Sequence, residues 1–190
     1  MRKPFIITGS LLIIFFTGCS PSRDKSVENI KNLEQILFSP QTVSLDKKKS
    51  DSLISMYEGF LKRFPHDSLA PKFAFQAGSI AMNTGDGAKA LTLFDLILDK
   101  YPDYRKTPLC LFFKGFIYEN LLQNLDKSRE VYQEFIEKYP NDEFIPSARA
   151  SIRNLGKTPD QMVREFEAKH NADSTRKADS INNLKSKKRK

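Results

Sequence analysis

Few side chains in this chain have the type and spacing for covalent or metal chemistry. Its 190 residues include two cysteines, Cys19 and Cys110, and two histidines, His66 and His170. No His–Cys or His–carboxylate spacing among them has the pattern of a metal site. The run TGDGAK (84–89) has glycines and a lysine without the spacing of a phosphate-binding loop, and reads as a turn between helices. Aspartates and glutamates are scattered over polar positions and form no acid–base pair legible in sequence; a pair assembled only by folding would not be visible at this level. On these grounds the chain is expected to be no enzyme, with no catalytic residue, metal, cofactor or small-molecule substrate.

Cys19 stands in a different kind of context. Arg2 and Lys3 give a positive start, Phe5 to Phe16 is apolar apart from Thr8, Gly9 and Ser10, and Thr17-Gly18 supplies small residues before the cysteine. A spanning helix needs roughly 20 apolar residues, so the run reads as the apolar region of a secretory signal. Phe16-Thr17-Gly18-Cys19 resembles the lipobox of bacterial lipoproteins, with Phe16 where Leu is commoner. That resemblance implies cleavage before Cys19 and acylation of its thiol, a transfer that needs a thiolate nucleophile. One acyl chain gives only marginal membrane binding, whereas two or three hold a protein almost permanently. Cys19 is therefore expected as a lipid tether to the outer membrane, with the chain facing the periplasm. Ser20 mildly favours outward export, because it is not the aspartate that retains some lipoproteins in the inner membrane. The competing reading is an ordinary signal or N-terminal anchor with an incidental cysteine. With Cys19 acylated, Cys110 has no intramolecular partner, which excludes a disulfide scaffold. In its apolar stretch PLCLFFKG, Cys110 reads as a small buried residue.

The net charge of +8 suggests nucleic acid until it is located. Residues 49–156 carry 14 basic and 14 acidic residues, so the excess lies in the N-terminal signal and the C-terminal tail. No basic stripe on a fold follows, and no nucleic-acid partner is expected. The tail 170–190 ends in KSKKRK, lacks aromatics and is expected to be disordered or a frayed helix.

The elements that must position any site come from a repeat. FPHDSLAP (64–71), YPDYRKTP (101–108) and YPNDEFIP (139–146) place Pro65, Pro102 and Pro140 at intervals of 37 and 38, and Pro71, Pro108 and Pro146 likewise. Ahead of them Tyr57, Phe94 and Tyr132 align, as do Phe60, Ile97 and Phe135, then Leu61, Leu98 and Ile136, then Phe64, Tyr101 and Tyr139. This is the apolar stripe of an amphipathic helix. The first proline of each pair ends a helix and the second opens the next. Gly85-Asp86 reads as a helix stop and new cap, with Leu125-Asp126 a poorer copy. Helices are expected at 24–37, 48–64, 71–84, 87–101, 107–123, 127–139, 144–155 and 159–169, and SPQTVS (39–44) as a loop.

This arrangement resembles the tetratricopeptide repeat. Gly78 and Gly115 match its small contact residue, Phe94 and Tyr132 its large aromatic, and Pro102 and Pro140 its terminating proline. Lys114 falls where a Leu-like residue is usual. The longer period and the YP-x-[DN]-type connections are more like the BamD/YbgF branch of periplasmic repeat proteins. The implied fold is an all-α, right-handed solenoid of about three helical hairpins over 48–169. A signal at 1–18 and a lipidated linker with a short helix at 19–47 precede it, and a basic tail at 170–190 follows.

The resemblance puts the first helix of each unit on a concave, protein-binding face. From one unit it implies Lys72, Phe75, Ser79, Met82 and Asn83 there. The next gives Leu109, Phe112, Phe116, Glu119 and Asn120, and the third Ser147, Ala150 and Asn154. The Lys/Asn/Arg clamp that some such domains use for a terminal carboxylate is expected to be absent, since Phe75 and Phe112 hold the corresponding positions. The competing reading buries those phenylalanines in the core. Two functions remain in view: a membrane-tethered adaptor for a protein partner, by resemblance the barrel-assembly machinery, and a peptidoglycan-binding protein using the basic tail.

Overall fold

The computed structural model describes residues 21–39 and 46–187, with side chains described through residue 177. The signal stretch, Cys19 and most of the loop at 39–44 lie outside the described residues. Within them all regular structure is helical: α1 Arg23–Leu37, α2 Lys47–Arg63, α3 Ala70–Asn83, α4 Gly87–Lys100, α5 Thr107–Asn120, α6 Leu125–Lys138, α7 Ile145–Asn154 and α8 Pro159–Lys187. From α1 to α7 each helix packs on the next, giving a solenoid of antiparallel hairpins. No described helix is long and apolar enough to cross a membrane.

The helix starts follow local chemistry of two kinds. Asp46, Asp86 and Asn124 accept the backbone N–H three residues on, at 2.8, 3.0 and 3.0 Å, satisfying a donor that the first turn leaves unpaired. Helices α3, α5 and α7 have no side-chain cap and instead carry Pro71, Pro108 and Pro146 in the first turn, where proline's missing N–H removes an orphan donor. Gly85 sits at φ 83°, in the left-handed region that glycine tolerates, and lets α3 turn into α4. The second such turn is built differently from the sequence expectation. Asn124 caps α6, not Leu125-Asp126, and Gln123 takes the positive φ of 53° without a glycine.

The connections between hairpins are one structure used three times. Phe64, Tyr101 and Tyr139 accept at their carbonyls from the amides of Asp67, Tyr104 and Asp142 at 3.0–3.1 Å. Those three residues in turn accept from Ala70, Thr107 and Ile145 at 2.8–3.2 Å. The matched prolines mark this double turn.

Two core clusters form. One runs from α1 to α5 around Tyr57, Phe60, Phe73, Phe94 and Ile97; the other joins α5, α6 and α7 around Leu111, Tyr132, Phe135 and Ala148. Fully burying a large apolar side chain contributes about 1.5–3 kcal/mol. Cys110 lies in the first cluster, and burial pushes its thiol up to about 12, leaving it an inert packing residue. Lys114, at the Leu-like position, lays its stem inside and pairs its ammonium with Asp95 on α4.

Both ends differ from the sequence expectation. The stretch 19–47 is not simply a linker: α1 is the first helix of a hairpin with α2, burying Val27, Ile30 and Leu37. Arg23 Nε donates to Asp67 at 2.9 Å, Arg63 Nη2 to Ser26 Oγ at 2.8 Å, and Tyr57 Oη to Glu34 at 2.5 Å. Among the described residues the packed unit thus includes α1 from Arg23, ahead of the expected start at residue 48. At the other end the expected break at 169 does not occur. No glycine or proline interrupts 160–187, and α8 continues to Lys187, the helical one of the two alternatives for 170–187 and not the disordered one. It has no packing partner like those of the other helices among the described elements, and Met162, Val163 and Phe166 are exposed.

Candidate protein-binding face

Three cavities take linings from the first helices of the hairpins and include several of the expected residues. On α3 the side chains of Lys72, Phe75, Ser79 and Asn83 recur at three- and four-residue spacing, which places them on one stripe. All four line a cavity of about 410 Å³, closed by Phe38 at the end of α1 and by Tyr104, Arg105 and Lys106 from the α4–α5 connection. On α5, Glu119 and Asn120 line a second cavity of about 610 Å³ with Ala150 and Asn154 of α7 and Met162 of α8. Leu109 lines a smaller one of about 220 Å³ between Lys106 and Phe144.

The phenylalanines divide into three cases. Phe75 is 8% exposed and packs against Phe94, Tyr104 and Phe113 at centroid distances of 6.1–6.4 Å, so it is at once core and cavity floor. Phe112 is partly buried and packs against the second core cluster, with Tyr132, Phe135 and Phe144 at 5.5, 5.6 and 5.2 Å, so its ring supports α6 and the entry to α7. Phe116 is 39% exposed and lies outside the three cavities just described. Met82 packs on the first core cluster, and Ser147 is exposed outside the cavities.

The electrostatics of the first cavity are one-sided. Lys72, Arg105 and Lys106 are its charged lining residues, and no aspartate or glutamate shares it. None of the three side chains makes an ion pair or hydrogen bond among the described residues. Lys106 Nζ sits 4.3 Å from the centroid of the Phe75 ring, a cation–π contact joining the rim to the floor. Gln76, which also lines the cavity, donates to Glu34 at 3.1 Å, while its side-chain oxygen is buried without a partner. In the second cavity Glu119 is engaged from behind, accepting from Tyr132 Oη at 3.0 Å. Burial, together with that carboxylate, pushes the Tyr132 phenol well above its usual range.

Phe38, Tyr104, Arg105 and Lys106 were not foreseen as site residues. Phe38 reaches the cavity only because α1 docks, which local sequence does not announce. The other three sit in the repeated connection YPDYRKTP, where the matched prolines drew the eye and the basic pair, absent from FPHDSLAP and YPNDEFIP, was a legible signal. The described residues hold no group of His, Cys, Asp and Glu able to bind a metal ion.

The tetratricopeptide repeat family matches residues 74–104 and 111–142, the α3–α4 and α5–α6 hairpins with their exits. Those two hairpins are similar to tetratricopeptide repeats, in keeping with their all-helical architecture. No curated protein matches the chain.

Proposed function

We propose that the protein is a lipid-tethered adaptor of a bacterial cell envelope that holds a protein partner on the face made by α3, α5 and α7. The tether is Cys19, by its lipobox-like context after an apolar signal, and the location is the outer membrane, facing the periplasm. The partner class is the machinery that assembles outer-membrane proteins, on the strength of the BamD/YbgF-like connections. The observation that carries the binding face is the lining of one cavity by Lys72, Phe75, Ser79 and Asn83 from successive turns of α3, continued on α5 by Glu119 and Asn120 at the next.

Two experiments test this. Cys19→Ala is expected to abolish labelling by a clickable fatty acid and to leave unprocessed precursor; unchanged labelling removes the tether. Affinity capture from detergent-solubilised membranes then compares the chain with Asn83→Glu plus Asn120→Glu. Both sites are exposed, so the melt should hold within about 0.5 kcal/mol. Loss of capture supports the face; undiminished capture moves binding elsewhere. The basic C-terminus is the second reading, favoured by the exposure of α8 along its described side chains. Truncation after Lys169 that abolishes peptidoglycan sedimentation would select it.

A further inference from the structure

We propose that the cavity between α1, α3 and the α4–α5 connection takes an acidic peptide segment bearing an apolar side chain. Its carboxylates face Lys72, Arg105 and Lys106, and its apolar group lies between Phe38 and Phe75. This rests on the scaffold reading of the same face and adds the chemistry of what that face selects.

Charge is the first argument. The cavity gathers three cations from two elements, with no acid in its lining and no ion pair consuming them. Unpaired like charges in a concavity cost self-repulsion and focus a field that draws anions. The nearest acids on the far side of the connection, Asp142 and Glu143, share the neighbouring cavity with Arg105 and Lys106 but pair with neither. Asp142 is occupied instead with the Phe144 amide at 2.9 Å.

The apolar floor is the second argument, because a purely ionic ligand would leave it unused. Phe38 is 52% exposed at the cavity edge and Phe75 forms the floor. Lys106 on the Phe75 ring puts an ammonium at the boundary between the two, so one ligand meets charge and ring side by side. A volume of about 410 Å³ suits a few side chains and not a folded surface, within the roughly 300–1,000 Å³ common for ligand sites. The cations are not those of a terminal-carboxylate clamp, whose positions hold Phe75 and Phe112, so an internal acidic residue suffices.

The test is fluorescence anisotropy with the full chain in nonionic detergent. The probe is a short labelled peptide of glutamates flanking a phenylalanine, acetylated and amidated so that no terminal carboxylate remains. Saturable binding is expected, weakening as salt rises. Lys72→Glu with Arg105→Glu is expected to weaken it about tenfold or more, with an unchanged melt because both residues are exposed. Replacing the glutamates by glutamine, or the phenylalanine by alanine, is expected to weaken it too. Phe38→Ala, at a half-exposed site, gives an independent check on the apolar contact. The inference is overturned if the peptide shows no saturable binding, if the charge-reversed variant binds it equally, or if a lysine peptide competes as well. Binding to phosphatidylglycerol vesicles that the same variant loses, without peptide binding, overturns it in favour of a lipid surface. If the peptide fails while Asn83→Glu plus Asn120→Glu still abolishes partner capture, the adaptor reading stands and this inference alone falls.

Discussion

Tyr132 lies so close to Gly115 that a Cβ on the glycine would stand 2.6 Å from the ring, nearer than real Cβ contacts come. Gly78 and Phe94 repeat the relationship one hairpin earlier at 2.7 Å. Each pair joins the two helices of a hairpin, and both rings are fully buried. The glycines are therefore space requirements of the ring, set by close helix approach.

Gly115→Ala and Gly78→Ala should each destabilise the fold by about 1–3 kcal/mol through overpacking. Gly59, inside α2 with nothing within 4 Å of a Cβ, is the control. Gly59→Ala should stabilise by about 0.5–1 kcal/mol from helix propensity alone. Urea melts followed by circular dichroism check all three, and equal effects at Gly59 and Gly115 would contradict the packing.

Phe94→Ala and Tyr132→Ala should each cost roughly 3–5 kcal/mol, since both rings are buried between paired helices. Repeat stacks couple only neighbours, so either change should melt much of an array this short. An unaltered thermal midpoint in both variants would mean the hairpin register is wrong.

Phe112 and Phe116 should part company. Phe112→Ser should lower stability by about 3 kcal/mol, because that ring is packed among Tyr132, Phe135 and Phe144. Phe116→Ser, at a 39% exposed site, should change it by no more than about 0.5 kcal/mol. Denaturant melts of the single variants decide this.

The docking of α1 should be acid-sensitive. The Arg23 guanidinium, then the Leu69 amide, hold the Asp67 carboxyl below its usual range. A carboxyl depressed in the folded state contributes stability above its unfolded value of about 3.9, and that contribution is lost as pH falls through the lower folded value. Asp67→Asn should therefore raise hydrogen exchange in α1 at neutral pH, and the difference from the parent chain should vanish in strong acid. A difference independent of pH would contradict the pairing.

Much of this was legible in the residues, for physical reasons that can be named. The paired prolines, the aligned aromatics and Gly85-Asp86 act locally, and the helices they bound lie within a few residues of their expected ends. Gly78 and Gly115 were visible as small residues, though not the rings that require them. Whether Phe75 and Phe112 are groove or core stayed open in the sequence because the spacing of a helix says which face a residue shares, while burial depends on what the next helix places over it. The docking of α1 depends on contacts such as Arg23 with Asp67 and Tyr57 with Glu34, which lie 44 and 23 residues apart and leave no periodic trace. Helix α8 ran past its expected end because the composition that suggested disorder also lacks any helix breaker.

The adaptor reading is tested most directly by photo-crosslinking in intact cells, with a photoreactive amino acid placed at Asn83 or Asn120 on the face of α3 and α5, or at Ala88 or Glu134 on exposed positions of α4 and α6. The account predicts one discrete protein adduct shared by the first two positions and none from the second two. Adducts from Ala88 and Glu134, with Asn83 and Asn120 silent, would contradict it.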